Sequence, residues 1–387
     1  MKIIAFYLPQ FHEIPENNKW WGKGFTEWVN VKKARPLFEN HNQPRVPLNK
    51  NYYNLLDEKT QKEQVKLAND YGLYGFCFYH YWFDGKLLLE KPVEKFLENK
   101  SLDTHFCICW ANEHWTNAWA NKEAKVLIEQ KYGNKKEWKE HFDYLLNFFK
   151  DDRYIKENNK PLLVIYRPEL IDCLKEMLEF WDEEAKKNGF AGLDFAYQHA
   201  GYTVSPKCDE SLFTYALEYH PNCAQVFMNK EKKSILTNVK KQVALFCEKK
   251  LKINIREKLK GNKLKHYSYE EIWKYIINMK PRNDKCIPGA FVDWDNTPRR
   301  GNKGFVMDGA TPEKFEKYFS KQIKHAKEDY KKDMIFIFSW NEWAEGGYLE
   351  PDEKNKYGYL EAIKKALEKN GEFKKWLDCI IFLLYLQ

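Results

Sequence analysis

The chain has 387 residues, of which 43% are hydrophobic and 31% charged, with a formal charge of +8 from 64 basic and 56 acidic side chains. One large α/β barrel fits this length, since such barrels take ~250 to 400 residues as a single unit. The charges are dispersed rather than gathered into a basic stretch interleaved with aromatics, which argues against a nucleic-acid partner, and no window holds the ~18 apolar residues a membrane span requires.

From the first residues, Met1-Lys2-Ile3-Ile4-Ala5 runs directly into a strand, leaving no room for the charged and apolar regions of a signal peptide. Nine cysteines (Cys77, Cys107, Cys109, Cys173, Cys208, Cys223, Cys247, Cys286 and Cys379) form an odd set without disulfide-like spacing. Both features predict a reducing, cytoplasmic setting. Cys107-x-Cys109 lacks a second pair, and no glycine-rich phosphate loop stands between a strand and a helix, so neither a metal nor a cofactor is expected.

Short apolar runs alternate with longer stretches of helical periodicity, the pattern of βα units. Eight strands are predicted, at Ile3–Leu8, Gly75–Tyr81, His105–Trp110, Pro161–Tyr166, Leu193–Gln198, Leu212–Leu217, Ala290–Trp294 and Met334–Trp340. Helical patterns fall at Thr60–Tyr71, Lys136–Phe149, Ile171–Asn188, Tyr269–Met279 and Pro312–Asp329. The expected fold is a single (β/α)8 TIM barrel of class α/β spanning residues 1–387, with a helical insertion between strands six and seven (219–288). The basic stretch Lys230–Lys265 in that insertion reads as an amphipathic excursion toward an anionic membrane or polymer, or as a solvated helix. The apolar tail within 371–387 is too short to cross a bilayer; it docks on the core or touches a membrane, a lipid-linked glycan or a partner.

Barrel active sites lie at the C-terminal strand ends, and the unusual side chains concentrate there. Strand one is followed by His12, Trp21, Glu27 and Trp28; strand two ends in His80 and Trp82; strand three in Trp110, Asn112, Glu113 and Trp115; strand four in Tyr166 and Arg167; strand seven in Asp293 and Trp294. Each has an ordinary structural alternative, such as histidines bonded to backbone, tryptophans in the core, or an arginine paired with a barrel carboxylate. Of Asp293 and Asp295, one is expected to point away, because strand neighbours alternate faces. The last strand runs into Ser339-Trp340-Asn341-Glu342-Trp343-Ala344-Glu345-Gly346, two carboxylates three residues apart among indole rings. A helical turn at that spacing puts Cβ atoms ~5 to 6 Å apart, and retaining glycosidases need a carboxyl pair ~5 Å apart. An acidic pair opening a surface helix is the plainer alternative.

At these residues the chain resembles a known family. The segments F-Y-L-P-Q-F-H, W-W-G-K-G-F-T-E-W, G-F-C-F-Y-H-Y-W-F, C-W-A-N-E-H-W-T, K-P-L-L-V-I-Y-R-P and S-W-N-E-W-A-E-G are similar to the WbsX proteins, linked to bacterial surface polysaccharide biosynthesis and related to the endo-α-mannosidases of glycoside hydrolase family 99. The resemblance implies a barrel and a retaining enzyme acting on a surface polysaccharide or its precursor. It also implies roles for two residues. Glu342 matches a general base for the substrate's own 2-hydroxyl, giving a 1,2-anhydro sugar; Glu345 matches the general acid and base at the leaving oxygen. Asn341, Trp343 and the aromatic and polar residues above are then the expected sugar contacts. Alternatives are a glycosyltransferase of lipopolysaccharide, O-antigen or capsule biosynthesis, and a noncatalytic glycan-binding barrel. Two positions depart from the family pattern: Ala344 stands where the hydrolases carry His, and Asn117-Ala118 where WbsX sequences carry an Arg pair.

Overall fold

The computed structural model describes residues 1–117, 125–200, 209–229 and 264–374. Its central sheet is built from nine parallel segments: β1 (Lys2–Tyr7), β2 (Gly75–Phe83), β3 (His105–Trp110), β4 (Lys160–Ile165), β5 (Asp194–His199), β6 (Tyr215–Glu218), β7 (Cys286–Ile287), β8 (Gly289–Phe291) and β9 (Met334–Phe338). Neighbours run β7-β6-β5-β4-β3-β2-β1-β9-β8. β7 and β8 are one strand interrupted at Pro288, which has no N–H to give a ladder. Its first half pairs with β6, through Ala216 with Cys286 and Leu217 with Ile287. Its second half pairs with β9, through Gly289 with Phe336 and Ala290 with Ile337. The sheet thus closes on itself through that strand as a (β/α)8 barrel. Glycine is required at the seam, because a Cβ on Gly289 would sit 1.7 Å from the Glu218 carbonyl oxygen.

The strands are buried almost throughout, as expected where helices cover the outside of a parallel sheet and side chains fill its interior. Two short helices, α1 (Pro15–Trp21) and α2 (Glu27–Lys33), lie in the loop after β1, ahead of α3 (Glu58–Asp70). Then come α4 (Lys91–Glu98), α5 (Lys135–Phe149), α6 (Leu174–Lys187), α7 (Tyr269–Ile276), α8 (Thr297–Arg300), α9 (Pro312–Glu328) and α10 (Gly358–Lys369). The five expected helical segments fall on α3, α5, α6, α7 and α9, and several of these helices start with local signals. Asp57 caps α3, and Asn134 with Glu137 closes a reciprocal capping box on α5.

The sixth and seventh strands differ from expectation. Glu210–Leu212 forms a 3-10 turn capped by Asp209, so β6 begins only at Tyr215. The strand expected over Ala290–Trp294 begins earlier, at Cys286, and ends at Phe291. Within the long connection, residues 222–229 are helical, and Lys265–Ser268 pairs in parallel with Phe305–Asp308 ahead of α7. The rest of the expected helical insertion, 230–263, lies outside the described residues, as do Ala118 and the tail 375–387. Among the described residues no helix is long and apolar enough to cross a membrane.

Candidate active site

The segment after β9 folds into a tight knot at the C-terminal mouth of the barrel. Asn341–Glu342 pairs antiparallel with Gly347–Tyr348, and Trp343–Glu345 makes one 3-10 turn between them. Gly346 closes the turn at φ 73°, the left-handed region that favours glycine. Backbone and side chains pin the knot to the barrel. Asn341 accepts from the Leu8 N–H at 2.7 Å and donates to the Leu8 carbonyl at 3.0 Å. Ser339 Oγ accepts from the Glu342 N–H at 2.9 Å and donates to the Gly347 carbonyl at 2.6 Å. Trp343 is fully buried, stacked on Tyr348 at 3.8 Å, and its indole N–H donates to Glu350 at 2.6 Å.

This construction presents both acids to one guanidinium. Arg299, from α8, donates through Nη1 to Glu345 at 2.7 Å, through Nη2 to Glu342 at 3.2 Å and through Nε to Glu27 at 2.8 Å. Three carboxylates share a single cation. Burial pushes Glu342 up to about 8; Arg299 opposes the shift, and the nearby Glu345 and Glu27 charges add to it. The pair is therefore asymmetric, with Glu342 the more buried member and Glu345 the more open one.

A cavity of about 570 Å³ opens over this cluster, within the ~300 to 1,000 Å³ usual for ligand sites. Of the side chains singled out in the sequence, Trp21, Glu27, Glu113, Trp115, Tyr166, Trp294, Glu342 and Glu345 line it together. Glu113 is ion-paired with Arg167, which also binds Glu169, and burial raises its pKa against the pull of that arginine.

The remaining expected contacts lie outside the cavity lining. His12 is buried with Nδ1 3.0 Å from the Pro9 carbonyl, and burial lowers it to about 4. Trp28 donates to the Tyr53 carbonyl at 2.8 Å and packs under Trp343. His80 meets His141 of α5 at 2.9 Å, and Trp82 stacks on the same His141 ring at 4.5 Å. Trp110 donates to the Trp82 carbonyl. Asn112 exchanges two hydrogen bonds of 2.8 Å with the Arg167 backbone, tying the loops after β3 and β4 together. Arg167 is itself held by two carboxylates. Asp293 is held by Arg45 at 2.8 Å and accepts from the Trp294 N–H at 2.7 Å. These residues, with Asn341 and Trp343, are scaffold here rather than wall.

Several cavity residues were not among the sequence candidates, notably Arg299, Arg300, Tyr79, Tyr81 and Tyr219. For Tyr79 and Tyr81 the signal was available, since alternate residues of a strand share a face. They look into the barrel mouth, while His80 and Trp82 look out to α5.

A parallel barrel whose C-terminal mouth carries two acids over a partly aromatic cavity has the layout of a carbohydrate-active enzyme. The chain belongs to the WbsX family: residues 3–363 match the family described as glycosyltransferase WbsX. It is 34% identical over 369 residues to the uncharacterized protein WxcX of Xanthomonas campestris pv. campestris, covering 95% of this chain and 50% of that protein. The chain thus spans about half the length of the curated relatives it matches. Among solved structures, the GH99 endo-alpha-mannosidase from Bacteroides thetaiotaomicron aligns with a TM-score of 0.55 at 15% identity, covering 95% of this chain and 96% of that one. A protein described as glycoside hydrolase-like aligns with a TM-score of 0.54 at 10% identity, covering 96% and 94%. At such identities the likeness is one of fold, and it agrees with the closed barrel.

Proposed function

We propose that the protein is a retaining carbohydrate-active enzyme, a glycoside hydrolase or transglycosidase, acting on a bacterial surface polysaccharide or its precursor through Glu342 and Glu345. The observation that carries this reading is the sharing of Arg299 by both acids inside one cavity, which keeps them within reach of a single acetal. Glu345, the more open acid, protonates the leaving oxygen and then activates the acceptor. Glu342, with its raised proton affinity, takes the proton of the sugar 2-hydroxyl as that oxygen attacks the anomeric carbon. The anhydro sugar so formed reopens when water or another hydroxyl adds, with net retention. Trp21, Trp115 and Trp294 offer apolar faces to sugar rings.

Turnover of defined α-linked oligosaccharides tests the reading. Glu342→Gln and Glu345→Gln should each lower kcat by roughly 10²- to 10⁴-fold, as for loss of a general acid or base, while binding persists. A base must be deprotonated to act, so kcat should rise with pH toward about 8; a falling limb there would exchange the two roles. The family's description favours a second reading, a glycosyltransferase of surface polysaccharide assembly. Strong turnover of nucleotide sugars, with none of oligosaccharides, would select it. Binding without turnover of either would leave a noncatalytic glycan-binding barrel.

A further inference from the structure

The charged residues lining the cavity can be accounted for one by one. Glu27, Glu342 and Glu345 share Arg299, and Glu113 holds Arg167. Arg300 lines the same cavity, is exposed, and its guanidinium has no ion pair or hydrogen bond among the described residues. The wall beside it has further unmatched polar groups. α8 packs on α2, and α2 supplies Asn30, whose Oδ1 is buried without a partner, while α1 supplies Asn17, whose Nδ2 is likewise unpartnered. Both asparagines line the cavity, as do Trp21 and Phe25, whose ring centroids are 6.0 Å apart. An unmatched buried donor or acceptor costs ~1 to 3 kcal/mol, so a wall carrying one of each gains from a ligand that offers both.

Resting on the reading of this cavity as a glycan site, we propose that the wall formed by α1, α2 and α8 is a subsite for an acidic sugar residue. Its oxyanion, a carboxylate or a phosphoryl group, is held by Arg300. A guanidinium presents a planar fork of donors that matches either oxyanion bidentately. The asparagine amides meet the sugar's hydroxyls, and the Trp21 and Phe25 rings its apolar face. A carboxylate would belong to a uronate within the glycan; a phosphoryl group would belong to an activated or lipid-linked sugar.

The test is calorimetric binding to the full chain and to its Arg300→Gln and Arg300→Lys variants. Three probes are used: a glucuronate-containing disaccharide, its neutral glucose counterpart, and a sugar 1-phosphate. At least one acidic probe should bind about tenfold or more tightly than the neutral one, as one charge-assisted bidentate contact provides. That ratio should fall to about one in Arg300→Gln and recover in part in Arg300→Lys. Preference for the glucuronate probe assigns the oxyanion to the glycan; preference for the phosphate assigns it to an activated precursor. Equal affinity for acidic and neutral probes, no binding of either acidic probe, or a preference that survives Arg300→Gln overturns the proposal. Acidic binding without turnover would leave the subsite standing and remove the catalytic reading. Turnover of neutral glycans with no acidic preference would do the reverse.

Discussion

Two arginines gather acidic side chains at the barrel mouth, and they do so with opposite consequences. Arg45 holds Asp293 at 2.8 Å, reaches Asp295 at 3.9 Å and donates to the Gly346 carbonyl at 3.2 Å. Neutral donors add to that cluster, with Gln43 giving Asp295 a hydrogen bond at 2.6 Å and Thr297 giving it two, and His41 Nε2 lies 2.8 Å from the same carboxylate. Burial alone would push Asp295 up, but these hydrogen bonds and the Arg45 charge hold it below the usual carboxylate range. Around Arg299 three carboxylates share one cation, and Glu342 is pushed up to about 8. Asp293, which Arg45 holds, is nonetheless raised by burial, so a cation partner alone does not set the direction. Asp295, which also accepts from Gln43 and Thr297, is held low, whereas Glu342, with two further acids on the same arginine, is raised and faces the cavity.

The sharpest way to break this contrast is to remove each cation in turn. Arg45→Met leaves Asp293 and Asp295 buried without their charge partner, so the variant should lose ~3 to 5 kcal/mol of unfolding free energy, as for a buried pair deprived of one member. Arg299→Met leaves its carboxylates beside an open cavity, where protonation and water relieve them. Its stability should fall by less, while kcat collapses together with the order of the acid pair. Urea unfolding and steady-state kinetics on both variants decide the matter. Equal stability losses would show that the two clusters are one structural device.

The same contrast predicts opposite pH limbs. Glu342 is pushed up in the folded state, so the stability linked to its proton is fully present below the ordinary glutamate value and is lost as pH rises toward about 8. Asp295 is pulled down, so its contribution is present above the ordinary aspartate value and is lost as pH falls through its lower folded value. Each limb has a limiting slope of about 1.4 kcal/mol per pH unit for one proton. Glu342→Gln should flatten the limb between about pH 5 and 8, and Asp295→Asn the acid limb, in unfolding curves measured from pH 3 to 9. If Glu342→Gln leaves the slope between about pH 5 and 8 unchanged, its carboxyl is not the proton holder.

The sequence revealed strand identity better than it revealed facing. The barrel was legible because buried parallel strands read as unbroken apolar runs and their connecting helices carry caps. The ends of most strands were equally clear, which brought Glu342, Glu345, Glu113, Trp115 and Tyr166 into view together. What it obscured was direction: His80 and Trp82 stand out by composition, yet period-two alternation turns them outward and Tyr79 and Tyr81 inward. Arg299 and Arg300 were overlooked because Thr-Pro-Arg-Arg reads as a solvated loop, and only tertiary closure brings α8 against α2 and the turn holding Glu345. Asp293 lies at the right strand end, but its partner Arg45 comes from a loop 248 residues earlier. No local pattern reports such a contact.

Glu350 supplies the smallest and most discriminating comparison, because among the described residues it is a buried carboxylate with neither a cation nor a cavity beside it. It accepts from the Trp343 indole N–H at 2.6 Å, from the Tyr53 hydroxyl at 2.7 Å and from the Gln64 amide at 2.6 Å. Burial pushes it up to about 7 against those bonds. Three neutral donors converge on one carboxyl, and one of them anchors the ring between Glu342 and Glu345. Glu350→Gln replaces an acceptor oxygen with an NH₂ group that faces donors. The variant should therefore lose ~1 to 3 kcal/mol, the cost of an unmatched buried polar contact, and kcat should fall more than binding as Trp343 shifts. Urea unfolding gives the first number, and turnover against calorimetric affinity gives the second. A Gln variant as stable and active as the wild type would mean that the oxygen facing Trp343 suffices, and that the knot carrying the acid pair is held by Asn341, Ser339 and its glycines alone.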